Sequence, residues 1–134
     1  MIKYMLDTNI LIYTLRNRPR KVREAFKKHA DYLAMSSVTM GELIYGAEKS
    51  AQIARNLADV EALAARMEVL PYDSQAAVHF GQVRAELARA GKLIGPYDLM
   101  IAGHARSQGL ILVTNNLREF KRVRGLRVEN WVRR

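Results

Sequence analysis

The stretch PYDLMIAGHARSQGLILVTNN, residues 96–116, predicts a helix that leads directly into a buried strand. Pro96 is typical of a first helical turn, because its missing N–H would have no partner there. The following LILVT is a short, continuous apolar run, as expected for a strand that is covered on both faces. Thr114, Asn115 and Asn116 come next, so polar side chains stand where this strand ends.

The same alternation of helix and strand runs through the rest of the chain. Further strands are predicted at IKYML, YLAMS and MEVLPY, with LRVENW as a last edge strand. Helices are predicted between them at NILIYTLR, RKVREAFKKHA, VTMGELIYGAEKS, AQIARNLADVEALAARM and DSQAAVHFGQVRAELARAG, and LREF is predicted as a turn or short helix. This order indicates βαβ units with right-handed crossovers. We expect an α/β fold with a central, mostly parallel sheet of four to five strands, in one domain over residues 1–134.

The composition narrows the class of protein. Hydrophobic residues make up 49% and charged residues 26% of the 134 residues, as in ordinary globular domains. The absence of cysteine excludes disulfides and thiolate metal sites, and it favours a reducing compartment. The first apolar run is broken by Asp7, and no apolar stretch approaches the ~20 residues that span a membrane. We therefore expect a cytoplasmic protein without a membrane segment.

The net charge of +9 indicates a polyanionic partner, with nucleic acid as the first candidate. Basic residues cluster in RNRPRKVREAFKK, residues 16–28, where Glu24 is the single acid. A charge run of this kind is more often a solvated face. The cluster alone therefore does not decide between a binding surface and an ordinary exterior.

Polar residues follow the predicted strands at positions where a parallel sheet would bring them together. They are Asp7, Ser36, Ser37, Thr114, Asn115 and Asn116, with Glu42 and Asp98 in the helices that begin close by. Taken singly, each acid has a structural explanation: Asp7 as a helix cap, Asp98 in a first turn favoured by the macrodipole, and Glu42 as a solvated helix residue. The histidines, at positions 29, 79 and 104, show no metal-ligand spacing and are interpreted as structural or surface residues.

The three carboxylates are a stronger signal together, because ligands of parallel sheets bind beyond the carboxyl ends of the strands. Two like charges ~4 Å apart cost about 4 kcal/mol at an effective dielectric constant near 20. A divalent cation relieves that cost, and all-oxygen ligands favour Mg²⁺ or Mn²⁺ over Zn²⁺. Such acids within a basic protein indicate a metal-dependent nuclease.

Four stretches resemble the PIN-domain family, and within it the VapC toxins of bacterial toxin–antitoxin pairs: MLDTN, SSVTMGELIYGAEKS, GQVRAELARAGKLIGPYDLMIAGHARSQG and LILVTNNLREF. The resemblance implies a three-layer α/β/α domain with an acidic site formed by Asp7, Glu42 and Asp98. Asp7 and Asp98 would be the primary ligands of Mg²⁺, for which Mn²⁺ would substitute. The supporting polar side chains implied by the resemblance are Thr8, Asn9, Ser37, Thr114, Asn116 and Glu119.

The chain departs from the family pattern at one position. Many PIN domains carry a fourth acid just after the last core strand, where this chain has Asn116. Glu119 lies nearby in the sequence and is the alternative candidate. Because Asn is a neutral oxygen ligand, the departure weakens the expectation of a preformed second metal site.

The resemblance also implies an activity. The expected reaction is Mg²⁺-dependent hydrolysis of RNA that leaves a 3′-hydroxyl and a 5′-phosphate. The expected substrate is tRNA, with the anticodon stem-loop of initiator tRNA as the leading target. Arg84, Arg20 and Lys21 are expected to bind the RNA backbone. The expected partners are a VapB-type antitoxin that blocks the toxin site and a second toxin copy in a homodimer.

Two other classes of function remain open from the residues alone. A non-catalytic, basic nucleic-acid-binding module would use the acids only as helix caps and would bind without metal-dependent cleavage. A phospho-receiver domain also has an acid at a strand end. It usually needs adjacent acids after its first strand, however, and Asp7 has no acidic neighbour.

Overall fold

The computed structural model describes residues 1–132 and contains a five-stranded, all-parallel sheet. The strands lie in the spatial order β3-β2-β1-β4-β5, so the predicted α/β fold is confirmed. Their bounds are Tyr4–Leu6 (β1), Leu33–Ser36 (β2), Glu68–Leu70 (β3), Ile111–Val113 (β4) and Val128–Glu129 (β5).

Seven α-helices lie within the described residues. Each falls on a predicted helical stretch, and the uncertain LREF segment is a short helix. None is long and apolar enough to cross a membrane. Their bounds are Thr8–Asn17 (α1), Arg20–Lys28 (α2), Ser37–Glu48 (α3), Ile53–Ala64 (α4), Ser74–Arg89 (α5), Pro96–Ser107 (α6) and Leu117–Phe120 (α7).

The sheet separates two apolar clusters, because successive side chains of a strand point to opposite faces. On β1, Tyr4 and Leu6 belong to one cluster, which α1 to α4 complete with residues such as Leu11 and Phe26. Met5 belongs to the other cluster, which α5 and α6 complete. Helices therefore cover both faces, and the predicted three-layer α/β/α arrangement is confirmed.

Helices α5 and α6 approach each other unusually closely at Gly103. A Cβ atom at this position would lie 2.6 Å from the backbone nitrogen of Phe80 and 2.8 Å from its Cα. Only a residue without a side chain permits this approach without a shift of one helix. Since α6 carries Asp98, the contact helps to position one of the candidate acids.

The winding of the sheet reverses between β1 and β4, and a crevice is expected at the carboxyl ends of these two strands. From β1 the chain proceeds to β2 and β3 on one side, and it then crosses to β4 and β5 on the other. The point where the winding reverses is where α/β sheets bind ligands. Asp7 follows β1 at this point, and its backbone N–H donates to the carbonyl of Val113 at 3.0 Å.

Candidate active site

Asp7 is completely buried at the reversal point of the sheet. Its Oδ1 accepts the backbone N–H of Ile10 at 2.8 Å, so Asp7 is the N-cap of α1. Its Oδ2 accepts the hydroxyl of Thr114 at 2.6 Å, which joins the end of β1 to the end of β4. Each oxygen keeps a second lone pair, so capping leaves the carboxylate able to bind a cation.

The pKa of Asp7 is raised from its ordinary 3.8 to about 7, with burial as the largest cause. The hydrogen bonds from Thr114 and Ile10 lower the pKa, but the negative charges of Asp98 and Glu42 raise it further. The carboxyl group therefore binds a proton much more readily than an exposed aspartate does. This is the behaviour of a buried acid that lacks a positive partner.

Glu42 is held towards the site by a hydroxyl from α1. The hydroxyl of Thr8 donates to Glu42 Oε1 at 2.6 Å and lies 3.1 Å from the hydroxyl of Thr39. Within residues 1–132, no hydrogen bond to the other carboxylate oxygen of Glu42 is found. Thr39 is completely buried and was not predicted as part of the site, although it stands one helical turn before Glu42.

Asp98 lies in the first turn of α6 and is half-buried. Burial is the main reason that its pKa rises from 3.8 to about 6. Glu119 and then Glu42 raise the pKa further through their charges. Glu119 therefore acts on this site electrostatically. The described hydrogen bonds of Asn116 involve its backbone: its N–H donates to Thr114 Oγ1 at 2.8 Å, and its carbonyl accepts the N–H of Phe120 at 3.4 Å.

The remaining predicted supporting residues differ in their placement. Asn9 is exposed and lines the same groove as Thr8 and Glu42. Ser37 accepts the backbone N–H of Tyr72 at 3.0 Å, so its hydroxyl holds the segment after β3. The buried hydroxyl at this strand end belongs instead to Ser36, the N-cap of α3.

The donor set fits a hard divalent cation. Its members are carboxylates and hydroxyls, which are the ligands that Mg²⁺ and Mn²⁺ prefer. Among residues 1–132, no three His, Asp or Glu side chains lie close enough together to form a ready-made metal cluster. The charges of Asp98 and Glu42 nevertheless raise the pKa of Asp7, and the charge of Glu42 also raises the pKa of Asp98, so a cation between these groups would relieve an existing repulsion.

An open groove of about 1300 Å³ begins at Thr8 and Glu42 and runs between α1, α3 and α4. Basic residues that sequence reasoning did not single out line this groove: Arg16, Arg18, Lys49 and Arg55. Arg20, Lys21 and Arg84 do not line it. Arg20 is exposed and lies 4.0 Å from Glu24, and Arg84 lies on α5 above the ring of Phe80.

The chain is similar in sequence to known proteins over almost its whole length. Residues 4–126 match the family model of the PIN domain. The chain is 59% identical over 131 residues to the tRNA(fMet)-specific endonuclease VapC of Salmonella typhimurium, covering 98% of this chain and 99% of that protein. It is 54% identical over 132 residues to ribonuclease VapC2 of Haemophilus influenzae, covering 98% of this chain and 100% of that protein.

Solved structures give the same result. The DNA-bound VapBC of Salmonella typhimurium matches with a TM-score of 0.96 and 59% identity, over 98% of this chain and 99% of that one. VapBC2 of Rickettsia felis, bound to a promoter DNA fragment, matches with a TM-score of 0.93 and 37% identity, over 98% of this chain and 99% of that one.

Proposed function

The chain belongs to the PIN-domain family, and we propose that it is the endoribonuclease toxin of a toxin–antitoxin pair. Ribonucleases of this family generally depend on a divalent metal. One observation supports the proposal above the others: a completely buried Asp7, its pKa raised to about 7, faces the charges of Asp98 and Glu42 at the reversal point of the sheet. In a domain that only bound nucleic acid, this repulsion would lower stability without contributing to function.

Mg²⁺ is the proposed cofactor, with Mn²⁺ able to substitute, and Asp7, Asp98 and Glu42 are its proposed ligands. When bound, the cation would supply Lewis acidity towards a phosphodiester and its attacking water. Glu119 is proposed in place of the fourth acid of the family, because its charge already raises the pKa of Asp98.

The other polar residues would orient the acids. Thr114 and the N–H of Ile10 fix both oxygens of the Asp7 carboxylate, so its rotamer is set before substrate binds. Thr8 does the same for one oxygen of Glu42. Preorganised ligands of this kind lower the reorganisation needed for catalysis.

The proposed substrate is tRNA, and initiator tRNA cut in the anticodon stem-loop is the leading target. The relative from Salmonella typhimurium, at 59% identity, is named as a tRNA(fMet)-specific endonuclease. Basic residues along the groove would neutralise the RNA backbone beside the acids: Arg16, Arg18, Lys49 and Arg55. Arg20, Lys21 and Arg84 lie outside the groove and would contact more distant parts of a tRNA.

The proposed partners are a VapB-type antitoxin and a second toxin copy. The Salmonella typhimurium and Rickettsia felis neighbours are VapBC assemblies, which supports this proposal. We also propose a cytoplasmic location and a single PIN domain over residues 1–134.

Cleavage of purified tRNA with Mg²⁺, with Mn²⁺ and with EDTA tests the function. We expect cleavage with either metal, none in EDTA, and products with 5′-phosphate and 3′-hydroxyl ends. An Asp7→Asn protein prepared in parallel reveals any contaminating ribonuclease. Undiminished cleavage in EDTA, or equal cleavage by the Asn variant, would overturn the proposal.

A further inference from the structure

His104 is a completely buried histidine on α6, outside the group of acids. Its Nδ1 lies 2.8 Å from the hydroxyl oxygen of Ser36, the residue that caps α3 by accepting the N–H of Val38 at 3.1 Å. The contact therefore joins the helix that carries Asp98 to the start of the helix that carries Glu42. Asp98 stands six residues before His104, and Glu42 stands six residues after Ser36.

The other ring nitrogen, Nε2, is buried without a hydrogen-bond partner in the described residues. If the Ser36 hydroxyl donates to Nδ1, the ring proton is on Nε2 and has no acceptor. If Nδ1 donates instead, Nε2 is a bare acceptor without a donor. An unpaired buried polar atom lowers stability, so an apolar side chain of similar size would serve packing better. The residues that break such rules are most often functional ones.

A loop closes over this contact. The ring of Tyr72 meets the ring of His104 edge to face, with centroids 5.5 Å apart. The backbone N–H of Tyr72 donates to Ser37 Oγ at 3.0 Å. Two hydrogen bonds thus fix the beginning of α3, one from α6 and one from the loop after β3.

Asp98 depends on this anchoring more than the other acids do. Within residues 1–132, Asp7 and Glu42 accept hydrogen bonds from Thr114 and Thr8, whereas no hydrogen bond to the Asp98 carboxylate is found. The position of the Asp98 carboxylate therefore depends on how α6 packs against its neighbouring helices. The close packing at Gly103 fixes the position of α6 relative to α5, and the contact between His104 and Ser36 fixes it relative to α3.

We propose that His104 is a positioning residue, which sets the distance between the Asp98 and Glu42 carboxylates through its hydrogen bond to Ser36. It touches neither substrate nor metal. The inference rests on the proposed function of the acids, and it assigns a role to a residue whose sequence context indicated only a structural or surface histidine.

Two substitutions at His104 separate positioning from stability. His104→Phe fills the ring site and removes the unpaired nitrogen, but it loses the hydrogen bond to Ser36. His104→Asn keeps a polar atom near the position of Nδ1, but it truncates the ring. A purely structural role predicts that activity follows stability in both variants. Positioning predicts that the two properties separate.

For His104→Phe we expect an unchanged or higher Tm, a kcat for tRNA cleavage about 10- to 100-fold lower, and an unchanged KM, since a misplacement of about 1 Å costs up to that factor. For His104→Asn we expect a lower Tm and near wild-type kcat, measured well below that Tm. If Phe proves too large for the site, His104→Leu and Ser36→Ala break the same hydrogen bond from either helix.

A metal titration gives a readout that does not require activity. Mn²⁺ should raise the Tm of wild type and His104→Asn at lower concentrations than it raises the Tm of His104→Phe. Wild-type kcat and an unchanged metal response in the folded Phe or Leu variant would overturn the positioning role, as would equal loss of activity in Asn and Phe. A wild type that responds to Mn²⁺ but cuts no tRNA would instead contradict the proposed function alone.

Discussion

Replacement of Asp7 by Asn is expected to stabilise the metal-free protein at alkaline pH, although it alters a buried, hydrogen-bonded site. Asn can still cap α1, because its carbonyl oxygen can accept the Ile10 N–H that Asp7 Oδ1 accepts at 2.8 Å. The substitution removes the negative charge of the carboxylate, which is unfavourable in the folded state because of burial and the neighbouring acids. The variant therefore measures how strongly the apo fold resists the charge of Asp7.

The magnitude follows from the pKa of Asp7, which folding raises from 3.8 to about 7. At 1.36 kcal/mol for each pH unit, ionisation of Asp7 costs the folded protein about 4 kcal/mol above pH 7. Because folding raises the pKa of this acid, protonated Asp7 favours the folded state. Its contribution to the free energy of unfolding is fully present below pH 3.8 and is lost as the pH rises through about 7. Asn also loses the hydrogen bond that the Thr114 hydroxyl donates to Oδ2, and leaving this buried hydroxyl without its acceptor costs about 2 kcal/mol.

The net expectation is that Asp7→Asn is about 2 kcal/mol more stable than wild type at pH 8, and about equal to it at pH 5. For a chain of this size, 2 kcal/mol corresponds to about 7 °C in Tm. Thermal and urea unfolding in EDTA, from pH 5 to pH 8, measure the difference. Asp98 also has a raised pKa, but it is present in both proteins, so their difference isolates Asp7.

Asp73→Asn is the matched control, because Asp73 caps α5 by accepting the N–H of Ala76 at 3.0 Å but is exposed. It should show no comparable gain at pH 8. Added Mg²⁺ or Mn²⁺ should stabilise wild type and the control by about 2.7 kcal/mol at a hundredfold excess over Kd, and Asp7→Asn much less. If Asp7→Asn and wild type respond alike to pH and to metal, Asp7 is a helix cap and no more.

The other predictions concern helix packing and RNA binding. Gly103→Ala should lower stability by about 1–3 kcal/mol in urea unfolding, because its Cβ would meet the Phe80 backbone, whereas Gly81→Ala on α5, with open space around it, should be neutral or slightly stabilising. Asp98→Asn should abolish cleavage but retain tRNA binding, with log K falling linearly against log salt at about 0.7–0.9 per phosphate neutralised; a flat response would exclude electrostatic binding. Arg55→Ala should weaken tRNA binding more than Arg20→Ala, since only Arg55 lines the groove, and equal losses in a binding titration would contradict that assignment.

The fold was predictable because apolar runs and helical stretches alternate clearly along this chain. All five predicted strands are present, but most of their ladders are shorter than the apolar runs that predicted them. LILVT contains β4 only at Ile111–Val113, although the N–H of Thr114 still donates to the carbonyl of Glu129. Hydrophobicity marks what is buried, and burial extends beyond the hydrogen-bonded segment of a strand.

The acids were predictable from the same reasoning, since parallel strands bring their carboxyl ends to one edge. The choice between Ser36 and Ser37 was not, because adjacent serines can both start a helix, and only the packing of α6 selects Ser36 as the buried one. The basic lining of the groove also escaped prediction. Arg16 and Arg55 are far apart in the sequence, and they share the groove only because α1 and α4 flank α3.

Capping and metal binding are compatible roles for Asp7, and the geometry gives a reason why both fall on one residue. An N-cap side chain is held by the first turn of its helix, here through the N–H of Ile10, and the hydroxyl of Thr114 fixes its second oxygen. A carboxylate held in this way cannot rotate away from Asp98 and Glu42 to reduce their repulsion. Burial is the largest cause of its raised pKa of about 7, and the charges of Asp98 and Glu42, from which the carboxylate cannot turn away, raise the pKa further. A surface carboxylate would escape that cost by turning to solvent, but it would have to be reoriented each time a metal bound.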